Sequence, residues 1–389
     1  MNVLLIFDNY ESSGTHRVAL NLMNAAPCVS GLNFWGLICM TDKLGITQED
    51  ARFSWPTSCF GRGEALTVKA LKLLFLLFIM PIVASKYDVL VATCPPSALV
   101  GFWASLWTRK PLISWIHYDF EGRKLESVGS TGGLLRDLVQ NMLHYRFMPC
   151  LTRLIFVSHA SRASMIKGSR RSDIPAQWFV IPNILPAFDP LPLPSLTPQL
   201  EKMLSSEEPL VVFIGRLARQ KRWEHALLAA ECLHKMGGRA NWLFIGDGPE
   251  GRSFREACDR SFLRNCILSI GFESNPLPLL AKADALVLTS LYEAWPTVIL
   301  EAFQLSVPVV AYNCPSGPSD LLGQNERGWL TVESPVFLAS ALCEVFDPFN
   351  RDVVLSRCKA AVEFLHFHGA QQVMPLWLRA FRAALSAYK

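Results

Sequence analysis

Short apolar runs alternate with longer segments of helical periodicity along most of the chain. In the second half the apolar runs lie at residues 210–214, 242–245, 267–270, 285–289 and 307–311. The segments between them, such as 223–236 and 251–263, have the spacing of helices. Apolar runs of this length that alternate with helices predict buried parallel strands in βαβ units. The first half repeats the pattern less regularly, with strands predicted at 3–7, 34–38, 89–91, 112–115 and 154–157.

A proline-rich stretch separates the two halves, because seven of the 25 prolines fall between Pro182 and Pro209. Proline fixes φ and donates no backbone hydrogen bond, so the stretch is predicted to hold neither a helix nor a central strand. Two doubly wound α/β domains are therefore predicted to face a central cleft. The predicted organisation is an N-terminal domain over 1–182, a linker over 183–208, a C-terminal domain over 209–365 and a last helical segment over 366–389. Periodicity leaves open which domain that last segment packs on, a return to the N-terminal domain being one option.

Composition narrows the class of protein. Of the 389 residues 51% are hydrophobic and 18% charged, which excludes a disordered chain. The eleven cysteines include no Cys-x-x-Cys pair, which argues for reduced thiols in a cytosol-like compartment and against the common zinc spacings. The longest apolar run, residues 73–84, is too short to span a membrane. It is interpreted as a buried helix, with a helix that dips into one leaflet as the alternative.

The net charge of +4 is unevenly distributed. Residues 1–190 have a net charge of +5 and residues 191–389 a net charge of −1, and 109–171 alone hold 11 basic against 4 acidic residues. A basic first half predicts an anionic partner. An anionic membrane surface or a phosphorylated lipid is favoured over nucleic acid, because no basic helix or nucleic-acid motif accompanies the charge.

A Gly-x-Gly-x-x-Gly pattern at Gly246–Gly251 is the first candidate for chemistry. Such a pattern after a strand is typical of dinucleotide binding. Here it follows the second strand of its domain, and Pro249 removes one amide from the turn. An NAD-dependent oxidoreductase is therefore kept only as the least favoured function.

Two other segments form a stronger combination. Arg216 and Lys221 follow the first strand of the second half, after Gly215, where two exposed cations could hold a diphosphate leaving group. Further on, Glu293 and Glu301 lie seven residues apart around Pro296, a residue favoured in the first turn of a helix. A helix that begins at Pro296 would present the amides of Thr297 and Val298 to an anion.

Together these segments resemble the retaining glycosyltransferases of family 4, which have the GT-B fold and use nucleotide-sugar donors. The resemblance runs in order through FIGRLARQK, FIGDGPE, AKADALVLTSLYEAWPTVILEA and VPVVAYNCPSGPSDLL. It implies that Arg216 and Lys221 bind the donor diphosphate and that Phe272 lies against the base. It also implies that Glu293 lies near the transferred sugar and that Glu301 binds the ribose.

The first half resembles the family less closely. Where the family often has Gly-Gly-x-Glu, this chain has Ser-Gly-Thr-His at residues 13–16, so Gly14 alone is left to approach the donor. His117, at the end of a predicted strand, resembles the active-site histidine of the family, and Asn183 resembles a structural residue of its interdomain segment.

The prediction is therefore a retaining glycosyltransferase that moves a sugar from a nucleoside-diphosphate donor to a glycan or lipid-linked acceptor. Family resemblance favours cell-envelope polysaccharide or lipopolysaccharide synthesis, by a cytoplasmic protein peripheral on the inner face of the membrane. No Asp-x-Asp pair is present, so neither a metal nor a resident cofactor is predicted. Two alternatives are a nucleotide-sugar epimerase of the same fold and a non-catalytic sugar-nucleotide or glycan-binding protein.

Overall fold

The structure is a computed structural model that describes residues 1–7, 14–38, 77–122, 141–169, 175–185 and 197–387. Several positions used in the sequence predictions lie outside these ranges. They are Ser13, residues 73–76 of the apolar run, Arg170, Arg171 and residues 186–196 of the proline-rich stretch.

Within the described residues, twelve strands form two six-stranded sheets in which every neighbouring pair is parallel. The first sheet has the order β2-β1-β3-β4-β5-β6. Its strands are β1 Asn2–Phe7, β2 Asn33–Ile38, β3 Val89–Ala92, β4 Leu112–Ile116, β5 Leu154–Phe156 and β6 Trp178–Val180. The second has the order β12-β11-β10-β7-β8-β9. Its strands are β7 Leu210–Ile214, β8 Asn241–Ile245, β9 Ile267–Gly271, β10 Ala285–Leu288, β11 Val309–Tyr312 and β12 Trp329–Thr331.

Helices connect most consecutive strands within each sheet, as the crossover between parallel strands requires, and three more follow the last strand, β12. In the first half they are Gly14–Asn24, residues 77–84, Pro95–Thr108 and His159–Ser169. In the second half they are Pro198–Leu204, Trp223–Lys235, Gly251–Arg260, Leu277–Leu280, Thr297–Gln304, Pro318–Leu322, Pro335–Phe346, Arg351–Phe364 and Ala370–Ser386. The fold is GT-B, with two Rossmann-like domains.

The chain divides into two compact units, one for each sheet. The first comprises the described residues of Met1–Glu121, Ser130–Pro186 and His368–Lys389, and the second those of Gly122–Gly129 and Ala187–Phe367. The helix Ala370–Ser386 thus belongs with the first unit, where Trp377 packs edge-on against Trp115 of β4 at 4.7 Å between ring centroids. Phe381 on the same helix contacts Phe34 of β2 at 5.9 Å.

The second unit places the ends of two central strands side by side. Its first strand, β7, pairs with β8 on one side and with β10 on the other, so the direction of winding reverses between β7 and β10. In open α/β sheets, ligands bind outside the carboxyl ends of the strands at such a reversal. The segments that follow β7 and β10 therefore form the candidate site.

The structure corrects three local predictions. The helix Pro198–Leu204 lies within the proline-rich stretch, because Pro198 occupies the first turn, where its missing N–H costs nothing, and Thr197 caps the helix. The helix predicted to begin at Pro296 begins at Thr297, with Pro296 as its N-cap. The helix over 77–84, predicted to be buried, is buried on one face only, since Met80 and Ala84 are buried whereas Phe78 and Ile82 are exposed.

Candidate functional site

An ion pair joins the two segments of the second unit that the sequence singles out. The Lys221 Nζ donates to Glu293 Oε1 at 2.5 Å. The Lys221 side chain is only 17% exposed and that of Glu293 9%. The prediction that Lys221 is exposed is therefore wrong, because its ammonium folds back onto the carboxylate beside it. A cation and a carboxylate thus share one half-buried point at the carboxyl ends of β7 and β10.

Backbone contacts fix the turn that carries Lys221. Residues Arg219–Lys221 form a short 3-10 turn after β7. The hydroxyl of Thr289, the residue after β10, donates to the carbonyls of Lys221 and Arg222, each at 2.9 Å. The two segments are joined again where the Leu291 amide donates to the Gln220 carbonyl at 2.7 Å. The position of Lys221 is thus set by β10 as much as by its own strand.

Three contacts hold Glu293 in place. The Ser290 hydroxyl donates to the same Oε1 at 2.7 Å, and the Glu293 amide donates to the Pro315 carbonyl at 3.2 Å. The backbone of Gly317, which has φ of 68°, closes over the residue from the other side. A Cβ at Gly317 would lie 2.7 Å from Pro296 Cδ and 3.2 Å from Glu293 Cβ, so only glycine fits there without a shift.

The helix Thr297–Gln304 starts four residues after Glu293. Its first amides, at Thr297 and Val298, have no acceptor inside the helix and form its positive end. Thr297 is half-buried and Val298 is buried. Glu301, one turn further on, is also buried. A buried carboxylate, a helix start and the Lys221–Glu293 pair therefore lie along one short segment.

The Gly246–Gly251 loop supports the neighbouring loop after β7. Gly246 has φ of 142°, and a Cβ there would lie 2.0 Å from the Gly215 carbonyl oxygen. A Cβ at Gly248 would lie 2.3 Å from the Leu217 carbonyl oxygen. The Leu217 amide donates to the Asp247 carbonyl at 3.0 Å, which pairs the two loops directly. This close backbone contact between the two loops explains the glycines at positions 246 and 248.

Two of the predicted donor-binding side chains extend into solvent. Arg216 is exposed, and its guanidinium has no hydrogen bond or ion pair with residues in the described ranges. Phe272, directly after Gly271 at the end of β9, is 57% exposed. An exposed phenyl ring and an unpaired guanidinium at the carboxyl edge of a sheet are chemically suited to a base and a phosphate.

Further polar groups surround the pair, and the sequence predictions did not include them. Arg222 forms an ion pair with Glu333 at 2.7 Å, and His225 Nδ1 lies 3.1 Å from the Tyr312 hydroxyl. Cys314 is buried, and burial together with the Glu293 charge raises the pKa of its thiol, which is therefore protonated. Thr289 and Ser290 could have been predicted from the sequence, since both are polar residues directly after a buried strand.

The remaining predicted residues lie in the first unit. His117 follows β4, its ring centroid is 4.2 Å from that of Trp115, and its Nε2 is buried without a hydrogen-bond partner among the described residues. Burial lowers the pKa of His117 to about 3, so the ring is neutral at physiological pH. Gly14 begins the helix Gly14–Asn24, and Asn183 is buried just after β6.

The described residues contain neither a metal-binding cluster nor a membrane-spanning helix. No group of three or more His, Cys, Asp and Glu side chains in these ranges could hold a metal ion. None of the helices described is both long enough and apolar enough to cross a membrane.

Residues 199–342 match the sequence family described as "Glycosyl transferases group 1". This segment begins in the helix before β7 and ends in the helix Pro335–Phe346, so it includes Lys221, Glu293 and Glu301. The matched segment thus includes the candidate site of the second unit and no residue of the first unit.

Three comparisons extend this match. A 2-deoxystreptamine glucosyltransferase of Streptomyces kanamyceticus is 30% identical over 40% of this chain and 41% of its own length. The lipopolysaccharide 1,6-galactosyltransferase of Escherichia coli K12 is 24% identical over 57% of this chain and 54% of its own. The chain thus matches about half the length of these relatives. The crystal structure of Anabaena HepE in complex with UDP and glucose has a TM-score of 0.70 and 18% identity, and the match covers 98% of this chain and 100% of that one.

Proposed function

We propose that this protein transfers a sugar from a nucleoside-diphosphate donor to an acceptor hydroxyl, because residues 199–342 match the family described as "Glycosyl transferases group 1". The observation that carries the proposal is the half-buried Lys221–Glu293 pair beside the helix start at Thr297. A cation for a departing diphosphate and a carboxylate for sugar hydroxyls are held together there. Anabaena HepE, whose fold is similar, was crystallised with UDP and glucose, which supports a UDP-sugar as the donor.

The roles of the side chains follow from their chemistry. Arg216, exposed and unpaired among the described residues, would bind the diphosphate together with Lys221 and the amides of Thr297 and Val298. Phe272 would stack on the base, and Glu301 would accept hydrogen bonds from the ribose. Gly215 would let the backbone approach the phosphates.

The proposed reaction retains the configuration at the anomeric carbon. The bond from this carbon to the diphosphate oxygen breaks while the acceptor oxygen bonds to the same face. The acceptor proton passes to the departing diphosphate, whose charge Arg216 and Lys221 neutralise. His117, neutral because its pKa is low, would act as a hydrogen-bonding group rather than as a charged acid. These side chains supply the positive charge, so we propose that no metal is required.

The acceptor is proposed to be a glycan or a lipid-linked sugar of cell-envelope polysaccharide or lipopolysaccharide synthesis. The lipopolysaccharide 1,6-galactosyltransferase of Escherichia coli and the amylovoran biosynthesis glycosyltransferase of Erwinia amylovora are among the relatives, which supports this class. The corresponding location is the cytoplasm, on the inner face of the membrane.

A panel of UDP-, GDP- and ADP-sugars tests the proposal. The correct donor, added at one hundred times its Kd, should raise the free energy of unfolding by about 2.7 kcal/mol. The purified protein should also hydrolyse that donor slowly without acceptor, with chelator present. Release of an isomerised sugar would instead indicate an epimerase, and stabilisation without any turnover would indicate a binding protein. If no nucleotide sugar stabilises the protein, the proposal is wrong.

A further inference from the structure

The helix Pro95–Thr108 is apolar on its outer face as well as on its inner one. Its sequence, PPSALVGFWASLWT, contains no charged residue. The inner face packs on the first sheet through residues that include Ala98, Gly101 and Ala104. The outer face carries an exposed stripe spaced by three and four residues, namely Leu99, Phe102, Trp103, Leu106 and Trp107. A helix on the surface of a protein in water normally has a polar outer face, so this stripe needs another explanation.

The apolar surface continues onto the helix over 77–84. Phe78, 76% exposed, and Ile82 lie four residues apart on its outer side. The Trp103 indole N–H donates to the Leu77 carbonyl at 2.8 Å, which ties the two helices together. We call the five stripe residues together with Phe78 and Ile82 the apolar face. Within it, Trp103 and Trp107 also contact each other edge-on at 5.6 Å between ring centroids.

Basic residues border this face. Arg109 and Lys110 end the stripe helix just before β4, and Lys86 lies just before β3. Because β3 and β4 are parallel and Leu90 is in register with Leu112, the three cations lie at the same edge of the sheet. The one acidic residue between positions 77 and 110, Asp88, accepts a hydrogen bond from the Asn2 amide at 2.7 Å.

We propose that the apolar face docks on the leaflet of a membrane that contains anionic phospholipid. Tryptophan and aliphatic side chains would enter the interface, while Lys86, Arg109 and Lys110 meet the headgroups. Each cation near an anionic surface increases partition by about fivefold. A second copy of the chain is a poorer occupant, since two such faces would bring their basic borders together. The inference rests on the proposed function only in that a lipid-linked acceptor would be met at this surface.

Flotation of the full-length protein with vesicles tests the proposal. It should float with vesicles of phosphatidylcholine and phosphatidylglycerol, less with phosphatidylcholine alone, and less as salt rises. The variant Leu106→Ser/Trp107→Ser removes two exposed side chains of the apolar face and should lose at least about tenfold in partition. Phe349→Ser is the matched control, because Phe349 is 97% exposed in the other unit, and it should float like the wild type.

Three results would overturn the proposal. The wild type could stay unbound with anionic vesicles at low salt, or the double variant could float as well as the wild type. The double substitution could also convert a dimer into a monomer, which would identify a second copy as the occupant.

Stabilisation by UDP, measured on the same samples, separates this test from the test of the proposed function. A double variant that loses flotation but keeps its UDP response supports the docking surface, and a wild type that floats without any UDP response counts against the proposed donor alone.

Discussion

Lys221 and Glu293 form one contact, so a change at either alters the environment of the other. Lys221 Nζ and Ser290 Oγ both donate to Glu293 Oε1, and Glu293 is buried. A diphosphate that recruits Lys221 would therefore compete with a carboxylate already in place. Arg216 has no such partner among the described residues. The sequence predicts the same role for both cations. In the unliganded protein, however, only Lys221 has a carboxylate partner among the described residues.

Replacing each cation by alanine should separate binding from stability. Arg216→Ala and Lys221→Ala should both lower turnover by about two to three orders of magnitude, as loss of a preorganised charge does. Only Lys221→Ala should also destabilise the fold, by about 1–3 kcal/mol, because it leaves a buried carboxylate without its cation. Steady-state kinetics and urea unfolding measure the two effects. Full turnover in a folded Arg216→Ala variant would contradict its role.

Replacement of Glu301 should affect nucleotide binding, whereas replacement of Glu293 should affect sugar transfer. Glu301→Ala should weaken binding of the bare nucleoside diphosphate, because its expected partner is the ribose. Glu293→Gln, which can still accept the Ser290 hydrogen bond, should leave that affinity nearly unchanged and lower sugar transfer by about two orders of magnitude. Calorimetric titration with UDP and transfer assays test this division. Equal loss of UDP affinity in both variants would contradict it.

At the scale of elements, the loop after β8 determines how the loop after β7 is held. Gly246 lies against the Gly215 carbonyl, and the Leu217 amide is bonded to Asp247. Displacement of the β8 loop would therefore move the turn that carries Lys221. This link explains why residues 246 and 248, which lie against the backbone of Gly215 and Leu217, are both glycines.

The substitution Gly246→Ala should damage this link. Its Cβ would overlap the Gly215 carbonyl oxygen at 2.0 Å, so we expect a loss of more than about 2 kcal/mol in the free energy of unfolding. Gly237→Ala is the matched control, because Gly237 also has a positive φ, 88°, but nothing lies within 4 Å of its Cβ. Thermal unfolding compares the two. Similar losses in both would mean that backbone strain, not loop contact, is responsible.

Most strands were predictable from the sequence because their apolar runs are buried on both faces. The run at 210–214 matches β7 at both ends, and the other predicted strands differ from the observed ones by a few residues at most. β6 was missed, since three residues at a sheet edge carry almost no periodic signal. In the site, residue types at the ends of strands predicted Lys221 and Glu293, but their direct pairing depends on a side-chain conformation that no spacing encodes.

For the whole molecule, the last residues of the chain return to the first unit at His368, after the long second-unit segment Ala187–Phe367. Leu185 in the first unit donates its amide to the His368 carbonyl at 3.0 Å, beside the point where the chain returns from the second unit. The final helix then covers β4 through Trp377, which contacts Trp115. The same Trp115 contacts His117. Trp115 of β4 thus contacts both the final helix and the histidine of the first unit.

Burial of His117 should make the stability of the protein depend on pH. In the unfolded chain His117 binds a proton with a pKa of about 6.5, whereas in the folded protein its pKa is about 3. Between these values the unfolded state binds more protons, so the free energy of unfolding falls as the pH falls. The contribution of this one group is a slope of up to about 1.4 kcal/mol per pH unit.

The substitution His117→Gln should therefore flatten the dependence of stability on pH between about pH 6 and pH 4. Urea unfolding at each pH measures this dependence. His234→Gln, at an exposed histidine of the second unit, is the control and should retain the wild-type slope. An unchanged slope in His117→Gln would show that the imidazole is solvated in the folded protein, which would remove the reason for treating it as a neutral hydrogen-bonding group.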